Sequence, residues 1–225
     1  MYEVSLLRHN WLAMHMGNVA FRERSGLIKG VVYDLGCGSR PFEKDVLACA
    51  VQYLGVDWQS SLHRLQADIV ADLNLPLPID DGAADTVISL SVLEHLREPE
   101  HMLREAFRIL KPGGALYLSV PFQWWVHEAP HDYFRFTRFG LEHLLRKTGF
   151  QGVEIQENSG FWVTWFLKLN YQTARLVRGP APLRWAIRAC LLPLWLADQL
   201  IAPALDRVWP APDETQGYNV TAYRP

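Results

Sequence analysis

The sequence predicts a doubly wound α/β domain built on a seven-stranded sheet, and three observations carry that prediction. Short apolar runs alternate with amphipathic stretches from residue 31 to about 157, the rhythm of parallel strands joined by helices. The first run ends in Asp34 and enters Gly36-Cys37-Gly38, and Asp57 closes the second run 23 residues later, the spacing of two adjacent parallel strands joined by one helix. A chain of 225 residues with 49% hydrophobic and 20% charged side chains has the composition of one globular domain with a sizeable core, not of a disordered or coiled-coil chain. Residues 1–225 are therefore read as a single domain.

The strands follow in order. Val31–Asp34 is the first, Tyr53–Asp57 the second, Ile69–Ala71 a short third, Thr86–Leu90 the fourth and Ala115–Val120 the fifth, each an apolar run suited to a buried parallel strand. Between the last two, Met102, Leu103, Ala106, Phe107 and Leu110 recur at helical spacing over Pro99–Leu110, and Lys111-Pro112-Gly113-Gly114 is expected to stop that helix. Thr137 is a good N-cap for a helix running through Leu141, Leu144 and Leu145 to Gly149, followed by a strand at Val153–Gln156. Tyr218–Tyr223 is the last strand, expected to pair antiparallel with that one.

Between these two strands the rhythm breaks. Residues 160–213 hold five of the nine tryptophans, Trp162, Trp165, Trp185, Trp195 and Trp209, together with five arginines and many leucines. The longest apolar stretch, Trp185–Leu205, contains Arg188, Asp198, Gln199 and two prolines, which makes a transmembrane span a poor fit. A hydrophobic helical insertion lying on a membrane interface fits better, with tryptophans at headgroup level and arginines facing lipid phosphates. An extra helical layer on the core, or a dimer interface, is the other reading.

The net charge of −2 and pI near 6.4 give no electrostatic footprint for nucleic acid. Cys37, Cys49 and Cys190 are too few and too unevenly spaced for a disulfide framework or a four-ligand zinc site. Met1–Met16 contains Glu3, Arg8, His9 and His15 and no uninterrupted apolar core, unlike a secretory signal. A cytoplasmic protein, peripheral on the inner face of a membrane, is expected.

The glycine turn gives backbone freedom where a ligand must approach the chain closely, and a carboxylate at Asp57 is placed to accept ribose hydroxyls. A third glycine, needed for a dinucleotide pyrophosphate, would fall near Pro41, and Ser39-Arg40-Pro41 offers none. No glycine-rich loop with Lys and Ser/Thr is present either, which speaks against a kinase or NTPase.

Asp34-Leu35-Gly36-Cys37-Gly38, Ala71-Asp72-Leu73, Leu75-Pro76-Leu77-Pro78, Ser91-Val92-Leu93-Glu94-His95-Leu96 and Leu110-Lys111-Pro112-Gly113-Gly114 occur in the order and spacing that resemble class I S-adenosylmethionine-dependent methyltransferases. The resemblance covers residues 31–157. It implies a Rossmann-like sheet with an antiparallel last strand and S-adenosyl-L-methionine as cofactor. It also implies that Gly36 and Gly38 pass under the methionine moiety, that the Asp34 carboxylate lies near the cofactor amino group, and that Asp57 holds the ribose. Asp72 with Leu73 would meet the adenine. Ser89 to Leu93 would border the transferred methyl, with Glu94-His95 at the floor. Read without the resemblance, Asp34 caps the turn, Asp72 is a turn residue before Asn74, Glu94 is a solvated helix residue and Cys37 a small packing residue.

The acceptor is expected at the carboxyl edge of the sheet after the fifth strand, where Pro121 to Thr137 concentrates His, aromatic and charged groups. Its His-x-x-Pro-x-Asp-Tyr-x-Arg-x-Thr run resembles a subgroup of these methyltransferases met beside glycosyltransferases in surface-polysaccharide pathways. His127 or His131 is the expected general base, because a neutral imidazole titrates near working pH; the alternative for either is a loop residue bonded to backbone. Asp132 orients a histidine or binds an acceptor hydroxyl, and Arg135 pairs with Asp132 or grips a phosphate. Trp124, Trp125 and Tyr133 offer a stacking wall for a sugar ring. A metal site built from His127, His131 and Asp132 is a minor reading, and no metal is expected. The expected activity is O-methylation of a saccharide or lipid-linked glycan hydroxyl near a membrane. Methylation of a small hydrophobic quinone or lipid, and a non-catalytic scaffold on this fold, are the alternatives.

Overall fold

The computed structural model describes residues 5–59 and 66–225, so Glu3 lies outside the described residues. The chain divides into two compact units, Arg22–Gln156 with Gly217–Pro225, and Tyr2–Phe21 with Glu157–Gln216.

The first unit holds seven strands: β1 (Val31–Leu35), β2 (Gln52–Asp57), β3 (Ile69–Val70), β4 (Ala84–Leu90), β5 (Leu110–Pro121), β6 (Gln151–Glu157) and β7 (Gly217–Tyr223). They form one sheet in the order β3-β2-β1-β4-β5-β7-β6. β1 pairs parallel with β2 and β4, β4 parallel with β5, and β7 antiparallel with β5. The strand order reverses between β1 and β4, so their carboxyl ends frame the crevice where doubly wound sheets bind ligands.

The core of this unit runs through Leu35, Val56, Val87, Leu116, Leu118 and Val220, with helix residues Met102, Leu103, Ala106, Leu141 and Leu145 packed on it. Those side chains belong to α3 (Pro99–Ile109) and α4 (Arg138–Lys147); α2 (Glu43–Leu47) is a short turn of helix after the glycine loop. Thr137 caps α4 by accepting from the Gly140 amide at 3.1 Å, as its sequence position predicts.

Helix α3 ends one residue earlier than expected, and not at Lys111-Pro112-Gly113-Gly114. Leu110 is already extended and paired with Ala84, and the Lys-Pro-Gly-Gly run lies within β5 at a break in its register. The C-terminal carbonyls of α3 are satisfied from the far end of the chain: the Arg224 guanidinium donates to the carbonyls of Phe107 at 3.1 Å and Arg108 at 2.9 Å, and to that of Leu110.

The second unit is helical. It contains most of α1 (Trp11–Glu23), and all of α5 (Phe161–Ala174) and α6 (Ala181–Val208). Its core is small: Leu12, Val163, Leu167 and Ala202. Polar side chains tie its segments together. Asp206 accepts from the Gly160 and Trp162 amides at 2.7 and 2.9 Å and so caps α5, which offers no capping side chain of its own. Gln199 accepts from the Leu12 amide and donates to the Leu6 carbonyl, both at 3.2 Å.

Pro193 and Pro203 sit inside α6 without ending it, so the prolines are no argument against a long apolar helix here. By length and composition α6 is apolar enough to cross a membrane, with a mean hydropathy of 1.3.

Candidate active site

The glycine turn leaves β1 at the crevice. Gly36 has φ of 85°, and a Cβ there would lie 2.3 Å from Val92 Cγ2, so both conformation and contact demand glycine. The Gly36 and Cys37 amides donate to the Val56 carbonyl at 2.8 and 3.1 Å, and the Gly38 amide to Asp57 Oδ2 at 2.8 Å. The turn is thereby locked against the end of β2. Asp57 also accepts from the Trp58 amide at 2.8 Å, which fixes its carboxylate at the strand end predicted for it. Asp34 is buried and accepts from Tyr53 Oη at 2.5 Å; burial pushes its carboxyl up to about 7. Cys37 is buried as well, and burial pushes its thiol up to about 12, so it packs and is no nucleophile at neutral pH.

Asp72 makes a turn, its carboxylate accepting from the Asn74 amide and side chain at 2.9 and 2.7 Å, while Leu73 belongs to the core. Ser89 is buried and its hydroxyl donates to the Leu35 carbonyl at 2.8 Å, binding β4 to the root of the glycine turn.

Glu94 departs most from the reading of it as a solvated helix residue. It is fully buried, in a short 3-10 turn after β4, and among the described residues neither carboxylate oxygen has a hydrogen-bond partner. Burial pushes its carboxyl up to about 8, so near neutral pH the group holds its proton. The Nε2 atoms of His95 and His127 lie 3.6 and 3.9 Å from Glu94 Oε1, and the two imidazoles meet edge to face at 4.8 Å. His95 Nδ1 is 2.9 Å from the His131 carbonyl, which makes Nδ1 the donor and leaves the Nε2 lone pair toward Glu94. His127 Nδ1 faces Asp132 Oδ2, the Trp125 carbonyl and the Arg135 guanidinium, each at 3.3 Å. The ligand atoms of Glu94, His95 and His127 lie within 4.8 Å of one another, close enough to share a metal ion as well as a proton. That grouping differs from the His127, His131 and Asp132 set named from sequence.

A salt bridge builds the acceptor loop. Arg135 grips Asp132 with two bonds of 2.6 and 2.7 Å and donates to the carbonyls of Trp125 at 2.8 Å and Phe134 at 2.7 Å. Asp132 accepts in turn from the His127 amide at 2.8 Å. The Arg135 guanidinium beside it holds the Asp132 carboxyl down at about 2. Arg135 is thus engaged inside the loop, and Asp132 orients His127. The backbone of the loop is anchored on the Glu94 carbonyl, which accepts from the Tyr133 amide at 2.9 Å and the Phe134 amide at 3.2 Å.

His131 stands apart from the cluster, edge-on to Trp58 at 5.1 Å with Nδ1 3.3 Å from Tyr133 Oη. Trp124 and Trp125 stack on each other at 4.1 Å, forming one partly exposed aromatic ledge. The structure gives His95 a place equal to that of His127. Sequence reasoning on the loop missed that pairing because the two histidines are 32 residues apart and meet only through the fold.

A doubly wound sheet with an antiparallel strand inserted beside β5, a glycine turn closed by Asp57, and a catalytic-type cluster across the switch point define the class. Residues 33–118 match the family described as a methyltransferase domain, so over that stretch the match agrees with the S-adenosylmethionine-dependent methyltransferase resemblance read from the sequence. The ubiquinone biosynthesis O-methyltransferase of Pseudomonas paraeruginosa is 26% identical over 160 residues, which cover 65% of this chain and 61% of that protein. The chain thus matches about three fifths of the length of that relative. Among solved structures, a chain from the complex of the Haloferax volcanii Trm112 methyltransferase activator with its methyltransferase is 21% identical, with a TM-score of 0.61 over 97% of this chain and 90% of that one. A SAM-dependent methyltransferase from Archaeoglobus fulgidus is 16% identical, with a TM-score of 0.58 over 94% of each chain.

Proposed function

We propose that the protein is an O-methyltransferase that uses S-adenosyl-L-methionine to methylate a hydroxyl of a saccharide or lipid-linked glycan at a membrane surface. The observation that carries this reading is the buried Glu94 facing the Nε2 atoms of His95 and His127 beside the glycine turn. An alcohol loses its proton as its oxygen is methylated, and this cluster is a place to put that proton.

The residues present fit the cofactor. Gly36 and Gly38 supply an unobstructed turn, Asp57 a carboxylate at the end of β2 for ribose hydroxyls, and Asp34 a buried acceptor. When bound, S-adenosylmethionine supplies an electrophilic methyl on a sulfonium. The acceptor hydroxyl transfers its proton to His127 Nε2. Asp132, held by Arg135, stabilises the resulting imidazolium from the Nδ1 side. Glu94, which holds its own proton near neutral pH, faces the same nitrogen, and His95 supplies a second imidazole beside it. The Trp124/Trp125 ledge gives a flat apolar surface for a ring.

A second acceptor class has its own support. The relatives named above are called ubiquinone biosynthesis O-methyltransferases, and a quinone-type phenol would stack on the same ledge while needing less help to lose its proton. Methyl transfer from labelled cofactor to purified glycan lipids and to hydroxylated quinones, with wild type and Glu94→Gln, tests both. Label appearing in a glycan hydroxyl and falling at least a hundredfold in the variant supports the first reading. Label confined to the quinone selects the second, and no methyl transfer to any acceptor removes both.

Residues 160–213 are proposed to bring the enzyme to the inner face of the membrane. Their support is the set of large apolar side chains that stand at least half exposed, Leu176, Leu183, Trp185, Leu200, Ile201, Val208 and Trp209, a pattern suited to headgroup depth.

A further inference from the structure

The helical unit contains a cleft of about 600 Å³ between the segment before α1, the end of α5 and the first half of α6. Its lining combines apolar side chains, Leu7, Val177, Leu192 and the rings of Trp185 and Trp195, with two cationic ones, Arg8 and Arg188. Among the described residues no carboxylate lines the cleft and neither guanidinium makes an ion pair.

Three observations say what such a cleft takes. Residues 158–197 carry Lys168, Arg175, Arg178, Arg184 and Arg188 and no acidic residue at all, so nothing in that stretch neutralises the pair. His9 lines the same cleft as both arginines, and burial, with the positive charges of Arg8 and Arg188, lowers its pKa. Asn10 also lines the cleft, and among the described residues its buried Oδ1 has no hydrogen-bond partner. A cationic pair set among apolar side chains, with Trp185 three-quarters exposed, matches an amphiphile and not a free anion.

We propose that this cleft is a binding site for the phosphate head of a membrane phospholipid, gripped by Arg8 and Arg188 with the start of the acyl chain along Val177, Trp185 and Leu192. It deepens the interfacial reading of residues 160–213 and rests on that reading, but it is independent of methyl transfer. One lipid held in this way turns a loose apolar contact into a stoichiometric, headgroup-selective one.

The test is co-flotation of the full chain with vesicles of phosphatidylcholine alone, or of phosphatidylcholine containing one-fifth phosphatidylglycerol, read alongside the blue shift of tryptophan emission. Wild type is compared with Arg8→Gln/Arg188→Gln and with Arg178→Gln/Arg184→Gln, which removes the same charge outside the cleft; all four side chains are exposed, and thermal melts confirm folding. The proposal expects phosphatidylglycerol to strengthen wild-type binding, the cleft pair to weaken it about tenfold or more, and the outer pair to change it less than threefold. Millimolar inorganic phosphate should not compete. Equal loss in both pairs means bulk electrostatics and overturns the cleft while leaving the membrane reading intact, as does equal binding to both vesicle types. Competition by phosphate makes the site a free-anion site and overturns the lipid assignment. Wild type that floats with neither vesicle overturns the cleft and the membrane reading together.

Discussion

The sheet unit and the helical unit treat apolar surface in opposite ways. The first packs 25 buried residues into one continuous cluster, and among its exposed apolar side chains are Val126, Tyr133 and Phe134 of the acceptor loop. The second buries only four in its own cluster and leaves Trp185, Val208 and Trp209 between 69% and 83% exposed. At about 25 cal/mol per Å² of apolar surface, a helix that buries Trp195 but leaves Trp185 outward gives up a few kcal/mol of folding energy. The contrast teaches that the sheet unit holds its site on a large continuous core, while the helical unit leaves apolar surface outward, as the proposed membrane contact requires.

The largest expected effect is in the sheet unit's proton site. Glu94→Gln and His127→Ala should each lower turnover about 10²- to 10⁴-fold with little change in stability of the cofactor complex, measured by single-turnover methyl transfer. A loss confined to KM would show the cluster to be structural. Next is the loop salt bridge: Arg135→Ala leaves the Asp132 charge, whose side chain is 1% exposed, without its partner, and should cost about 3–5 kcal/mol in denaturant melts. A cost under 1 kcal/mol would mean that the loop is held otherwise.

The buried acids give a pH dependence with a fixed sign. Asp34 at about 7 and Glu94 at about 8 both lie above the unfolded values, so between pH 4 and 8 the native state binds more protons than the unfolded one. Their contribution is fully present below about pH 4 and is lost as pH rises toward 8, at no more than about 1.4 kcal/mol per pH unit for each group. Glu94→Gln should flatten that slope in melts from pH 5 to 8; an unchanged slope would count against a neutral Glu94. Asp132, at about 2, works in the opposite sense, its stabilisation being lost as pH falls below about 4.

Smaller effects sharpen the contrast. Thr137→Ala should remove the α4 cap and cost about 1 kcal/mol. Leu183→Ser, on the helical unit's open face, should change stability by less than about 0.5 kcal/mol yet weaken vesicle binding. If it unfolded the chain instead, that face would be core and not interface.

The parts of the fold legible in the sequence are those written in local chemistry. Each strand has its apolar run, the Thr137 cap is a single-residue signal, and Gly36 is explained by its own φ and by the Val92 contact. The end of α3 was not legible, because its carbonyls are capped by Arg224, 114 residues beyond Leu110 in sequence, and because Leu110 exchanges helix for a pairing with Ala84. In the site, Asp57 and the Asp132–Arg135 pair could be read from spacing, since i,i+3 groups on one loop meet locally. The partnership of His127 with His95 and a buried Glu94 could not, because the sheet crossover brings two distant strand ends together. The helical insertion was legible as helical and amphiphilic, while the cleft between Arg8 and Arg188 joins positions 180 residues apart.

The central claim is that the glycine turn and Asp57 hold an adenosyl sulfonium. Isothermal calorimetry of S-adenosylhomocysteine with wild type and Asp57→Ala tests it directly. The account predicts micromolar, one-to-one binding by wild type and at least a hundredfold loss in the folded variant. Wild type that binds no cofactor, or an Asp57→Ala protein that binds as tightly, would contradict it.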